Sequence, residues 1–168
     1  VEVGAEGCVI FRPGVITREQ IEAVCGVPVA LRGELRADEV ARAAPAPGMG
    51  ERHYAPRARL VLVEGEGRAQ VEALAQAVRT SQSAGAAVGV LLADVFSEGV
   101  AGQEVKVYRW GRWEDAAELA QRLYAGLRWL DAAGVTVIVC PMPAAMGIGV
   151  AVRDRLLRAA GGREGSRE

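Results

Sequence analysis

The feature that most constrains this chain is a set of short apolar runs separated by longer segments of helical periodicity. Residues 60–63, 88–92 and 135–139 are dominated by Val, Leu and Ile, and the last reads Val-Thr-Val-Ile-Val without a break. Runs of that length and composition are expected of strands covered on both faces, as in a parallel sheet. Between and after them, residues 68–83 place Val71, Leu74, Ala75 and Val78 at helical spacing. Residues 113–132 carry the stripe Ala116, Leu119, Leu123, Leu127 and Leu130 before a stop at Gly134, and residues 147–160 turn Val152, Leu156 and Ala159 inward. Val105 and Val107 begin a further strand with Lys106 and Tyr108 on its other face. Strands alternating with helices predict a three-layer α/β domain over residues 59–162 with a mostly parallel sheet. One join is tight: about a dozen residues separate Leu92 from Glu104, near the minimum for a parallel crossover, so that connection either reaches a sheet edge or runs antiparallel.

The amino-terminal third is less regular. Arg12, Pro13 and Gly14 read as a turn. Thr17 followed by Gln20 forms a capping box for a short helix that puts Ile21, Val24 and Cys25 on one face and ends at Gly26. From residue 28 to 58 periodicity fades, and Pro28, Pro45, Pro47 and Pro56 interrupt the chain, leaving only residues 35–44 able to form a helical turn or two. This stretch reads as a linker, and residues 163–168 as a charged tail. Within the linker, Pro47-Gly48-Met49-Gly50-Glu51-Arg52-His53-Tyr54-Ala55-Pro56 holds the sole histidine beside a tyrosine. With Arg57 and Arg59 nearby, its donors suit phosphate or carboxylate; the plainer alternative is a solvated loop with an idle imidazole.

Twenty basic against twenty-one acidic residues give a net charge of -1, so no global field draws in nucleic acid or an anionic membrane. Cys8, Cys25 and Cys140 are widely spaced and form neither a disulfide framework nor a zinc motif, which fits a reducing cytoplasm. No apolar run is long enough to span a bilayer. The start at Val1, directly in a strand-like pattern, reads as a fragment or processed chain with its missing part upstream.

Chemistry-bearing motifs are sparse. Gly147-Ile148-Gly149-Val150-Ala151 opens a helix, where free amides can hold an anion, but it lacks a full dinucleotide fingerprint, and close helix packing is the better use. Asp94 stands at a strand end, where open α/β sheets place ligand contacts and also ordinary turns. Trp110, Trp113 and Trp129 suit packing or an interface. No phosphate-loop lysine, nucleophile elbow or paired-histidine metal motif is present.

Four stretches, in order, resemble the carboxy-terminal part of the two-domain threonylcarbamoyl-AMP synthases. Arg12-Pro13-Gly14-Val15-Ile16-Thr17 is similar to the close of the family's YrdC-like catalytic domain. Pro47-Gly48-Met49 with Arg52-His53-Tyr54-Ala55-Pro56 is similar to its interdomain linker. Leu123 to Arg128 with Asp131, and residues 147–160, resemble two helices of its Rossmann-like accessory domain. The resemblance implies a remnant of the catalytic domain over residues 1–27, an interdomain linker over 28–58 and the accessory domain over 59–162. It implies that the parent enzyme joins L-threonine, bicarbonate and ATP into threonylcarbamoyl-AMP with release of diphosphate, an early step of tRNA threonylcarbamoyladenosine modification. Arg12 is then a nucleotide contact, and His53 and Tyr54 belong to a linker folding over the catalytic cleft. The catalytic domain is the partner in cis, magnesium accompanies ATP in the parent enzyme, and no cofactor or direct tRNA contact is expected of this chain, which should be inactive alone.

The chain also departs from the family. Glu6 is followed by Gly7, Cys8 and Val9 where the family has Glu-Ser-Thr-Val, and the strand and turn before Arg-Pro-Gly look shortened to Ile10 and Phe11, so Gly7 and Cys8 receive no role. Gly50 and Glu51 stand where basic and aromatic residues are common in the linker. Two other readings remain: a free-standing nucleotide-binding module using the sheet ends and the Gly147 helix start, and a protein-interaction domain presenting its tryptophans.

Overall fold

The fold was obtained as a computed structural model that describes residues 1–4, 7–34 and 55–161. The weakly periodic helix expected within 35–44 lies outside them. Two sheets are present. The smaller joins β1 (Glu2–Gly4), β2 (Gly7–Ile10) and β3 (Val29–Leu31) in that order. β1 pairs antiparallel with β2, opposing Gly4 to Gly7, and β3 lies parallel to β2. Alternation of buried Cys8 and Ile10 with half-buried Gly7 and Val9 builds a full strand leading into Phe11. β3 falls where the sequence shows only a fading pattern; a three-residue strand is too short to display periodicity.

α1 (Arg18–Cys25) is delimited as its caps foretell. Gln20 N donates to Thr17 Oγ1, the Gln20 side chain accepts from Thr17 N, and Gly26 closes the helix at φ 67°. Its apolar face is narrower than expected. Only Ile21 packs on the Cys8, Ile10 and Val29 cluster, whereas Val24 is 87% exposed and Cys25 is open to solvent, because the three-stranded sheet is too small to cover a second turn.

The larger sheet contains β4 (Arg59–Val63), β5 (Val88–Ala93), β6 (Lys106–Gly111) and β7 (Val137–Pro141) in the order β4-β7-β5-β6, all parallel. α2 (Gly67–Ser83) and the 3-10 segment Asp94–Val100 pack together on one face, and α3 (Ala116–Ala132) and α4 (Ile148–Gly161) on the other. The tight join is resolved by that 3-10 segment, whose roughly 2.0 Å rise per residue crosses in fewer residues an interval an α-helix would need more chain to span. It delivers β6 to the sheet edge, parallel to β5. Every residue of the central β7 is buried, and the strand lies two residues later than the run 135–139, whose Thr136 is exposed.

The core of this domain holds Leu74, Val78, Val90, Leu91, Leu119, Leu123, Ile138 and Leu156 among others. Ala116 is only half-buried and is replaced in the α3 stripe by Gly126, where an added Cβ would lie 2.5 Å from Leu91 Cδ2 and 2.7 Å from the Tyr108 ring. Gln70, absent from the expected stripe of α2, is also buried. Trp110 is wholly buried, its indole N–H donating to Leu119 O at 2.8 Å, and Trp113 lies edge-on to Phe96. The tryptophans therefore form no shared exposed surface; Trp129 alone of the three is exposed.

Candidate functional site

Of the residues that the resemblance marks for the nucleotide, the structure describes Arg12; His53 and Tyr54 lie outside the described residues. Arg12 is exposed immediately after β2, at the start of the Arg-Pro-Gly turn. That turn borders a cleft of about 460 Å³ between the small sheet and α4, with Phe11, Pro13 and Leu31 on one side and Val150, Arg153 and Leu157 on the other. Its floor is apolar and its rim carries charges already engaged locally. Arg18 Nη2 reaches both oxygens of Glu34 at 2.6 and 2.7 Å, and Glu34 also accepts from Leu31 N at 3.1 Å. The hydrogen bond from Arg18, then that from Leu31, holds the Glu34 carboxyl below its ordinary value. The Arg32 guanidinium lies 5.6 Å from the Phe11 ring centroid, and Arg153 bonds Glu64 and Pro143 O.

A second cleft, of about 760 Å³, opens at the carboxy-terminal edge of the large sheet between Asp94, Arg112, the start of α3 and Gly147. Ligands favour this end of open α/β sheets, yet several of its polar groups are already committed. Asp115 caps α3 by accepting from Glu118 N at 2.9 Å and pairs with Arg112 at 2.8 Å; the amide bond and then the guanidinium lower its pKa. Asp94 Oδ1 accepts from Val95 N and Trp113 N, the work of a turn residue. At the Gly-x-Gly run, Gly149 N donates to Met146 O and Val150 N to Gly147 O, and a Cβ on Gly149 would collide with Ala144 O. Gly149 serves close packing of the helix start, while Gly147 supplies a left-handed turn at φ 51°.

Nucleophilic and metal chemistry find no support among the described residues. Burial raises the thiol pKa of Cys140 well above its ordinary value, and burial followed by Cys25 raises that of Cys8, the opposite of an activated nucleophile. No group of three or more His, Cys, Asp or Glu that could hold a metal ion occurs among the described residues. No helix among them is long and apolar enough to cross a membrane.

A third feature involves Asp131, which the sequence offers as part of the helix resemblance without a role. Asp131, in the last turn of α3, accepts from Arg57 N at 2.8 Å through Oδ2 and from Ala58 N at 3.0 Å through Oδ1. It fastens residues 57 and 58 to the last turn of α3. Pro56 and Ala58 are buried beside it, and Arg59 N donates to Thr136 O at 2.9 Å. Beyond that resemblance, the sequence signal was an acid at a helix carboxy terminus, where the dipole disfavours it.

Comparison with known proteins places these features in a family. The model of the threonylcarbamoyl-AMP synthase C-terminal domain matches residues 16–161. The threonylcarbamoyl-AMP synthase of Bacillus subtilis is 36% identical over 92% of the chain and 42% of its own length. That of Pyrococcus abyssi is 32% identical over 91% of the chain and 42% of its own length. The crystal structure of P. abyssi Sua5 complexed with L-threonine superposes with a TM-score of 0.72 at 31% identity, covering 92% of this chain and 43% of that one. A structure of the same archaeal protein with an adjacent histidine and tyrosine both replaced by alanine gives the same TM-score at 29% identity. The chain spans about two fifths of the length of these relatives.

Proposed function

Because the chain belongs to the threonylcarbamoyl-AMP synthase C-terminal domain family, we propose that it supplies the interdomain linker and regulatory domain of an L-threonylcarbamoyladenylate synthase. The observation that carries the reading is the family match running from the end of the Arg-Pro-Gly-Val-Ile-Thr segment through α4, on a fold superposable on the archaeal relative. In this reading an upstream YrdC-like domain in cis binds ATP, L-threonine and bicarbonate and forms threonylcarbamoyl-AMP and diphosphate for tRNA modification in the cytoplasm. Arg12 contacts the nucleotide with a planar guanidinium suited to phosphate oxygens. His53 and Tyr54 act from the linker over the cleft, where closure excludes water and orders the phosphates. The adjacent histidine and tyrosine replaced in the P. abyssi protein parallel this His-Tyr pair. Magnesium would enter with ATP in the upstream domain.

The test joins the chain to an upstream YrdC-like domain and measures ATP-dependent threonylcarbamoyl-AMP formation. His53→Ala with Tyr54→Ala is expected to lower turnover roughly tenfold or more, the scale of one or two phosphate-directed hydrogen bonds. Unchanged turnover and ATP affinity would overturn the lid role. Calorimetry with ATP on the chain alone is expected to show no binding; a measurable affinity would favour a free-standing nucleotide-binding module.

A further inference from the structure

We infer that Asp131 is a positioning residue of this synthase: its carboxylate sets the point from which the interdomain linker departs, and so where the linker can act. The consequence for turnover rests on the function proposed above; the anchor itself rests on geometry. Both carboxylate oxygens are used, each by a main-chain amide from more than seventy residues away, Arg57 N at 2.8 Å and Ala58 N at 3.0 Å. Asp131 is half-buried. It occupies the last turn of α3, a turn without a basic residue, where the partial negative charge of the helix end works against a carboxylate. A neutral or basic side chain would serve the helix better. The acid there answers to the linker, since two amide donors offset the unfavourable dipole. With Pro56 and Ala58 buried and Arg59 N bonded to Thr136 O, the chain is held from residue 56 onward.

The experiment uses the protein with its catalytic domain in place and compares Asp131→Ala, Asp131→Asn and the double variant His53→Ala/Tyr54→Ala by steady-state kinetics and amide hydrogen exchange. Asp131→Ala is expected to strip protection from Arg57 and Ala58 while β5 and β7 stay protected, and to lower kcat about tenfold with KM for L-threonine unchanged. Asp131→Asn, which keeps one acceptor oxygen, is expected to fall between. Unchanged kcat in Asp131→Ala, alongside a loss in the double variant, overturns the positioning role and leaves the lid reading standing. Unchanged kcat in the double variant overturns the lid reading instead, and exchange at Arg57 and Ala58 then decides the anchor: retained protection in Asp131→Ala refutes it. If Asp131→Ala loses protection throughout β5 and β7, Asp131→Asn carries the same comparison.

Discussion

At the scale of single residues, polar side chains without any periodic signature hold the domain's chain ends together. Gln70 shows how. Its amide Nε2 donates to Val63 O and Met142 O, both at 2.9 Å, tying the last residue of β4 to the residue after β7 from inside the core. Val63 O has a second donor in Met142 N, so removing the amide strands chiefly the Met142 carbonyl. Gln70→Ala is therefore expected to destabilise the domain by about 2 kcal/mol, a lost buried hydrogen bond plus one desolvated acceptor, read as a lower urea midpoint with unchanged slope. A glutamine in an amphipathic helix is usually assigned to the wet face, and only the sheet's end showed that this one faces inward. Asp131, named in the sequence only for the helix resemblance, has partners hidden for the same reason: its donors are the backbone amides of Arg57 and Ala58.

At the scale of elements, close approach outweighs intrinsic preference. Gly126 sits inside α3, where alanine would gain about 1 kcal/mol of helix propensity. The same Cβ would press on Leu91 and on a Tyr108 ring that packs near Trp129 and Arg122. Overpacking of that kind costs about 1–3 kcal/mol, so Gly126→Ala is expected to lower the melting temperature in spite of the better helix former. A variant melting above the parent would show that α3 is not seated on the sheet as described. The boundaries of α1, α2 and α4 were legible from caps, glycines and stripe, whereas α3 starts at Ala116 after the Asp115 cap and not at residue 113. The 3-10 crossover and β3 were not, because short elements repeat too few times to show a period.

At the scale of the whole molecule, the two sheets differ in how much core they own. The small sheet buries Cys8, Ile10 and Val29, with Ile21 and Leu31 against them, whereas the Rossmann-like sheet is buried on both faces. Amides of β2 and β3 are expected to exchange through local opening, and those of β5 and β7 only on global unfolding. Acid should widen the gap. Arg18 holds Glu34 below its ordinary 4.5, so the stabilisation it contributes is full above that value and is lost as pH falls through the lower folded value. Exchange of β3 is thus expected to accelerate selectively below about pH 4.5, as the Glu34 linkage fades; a pH-independent β3 would show that the Arg18–Glu34 pair does not brace the small sheet.

The sequence by itself determined the alternation of strands and helices, the cap at Thr17, the stop at Gly134 and the family resemblance, since each is written in neighbouring residues or in period. Tertiary structure alone decided that β6 lies at the edge, that Trp110 is core and not surface, that β1 and β2 form a full hairpin pair, and that Gln70 and Asp131 bind chain ends. Each of those outcomes depends on a partner brought close by folding. Partners distant in sequence are properties of that assembled space, whereas the Thr17–Gln20 cap and the helix stripes are written locally.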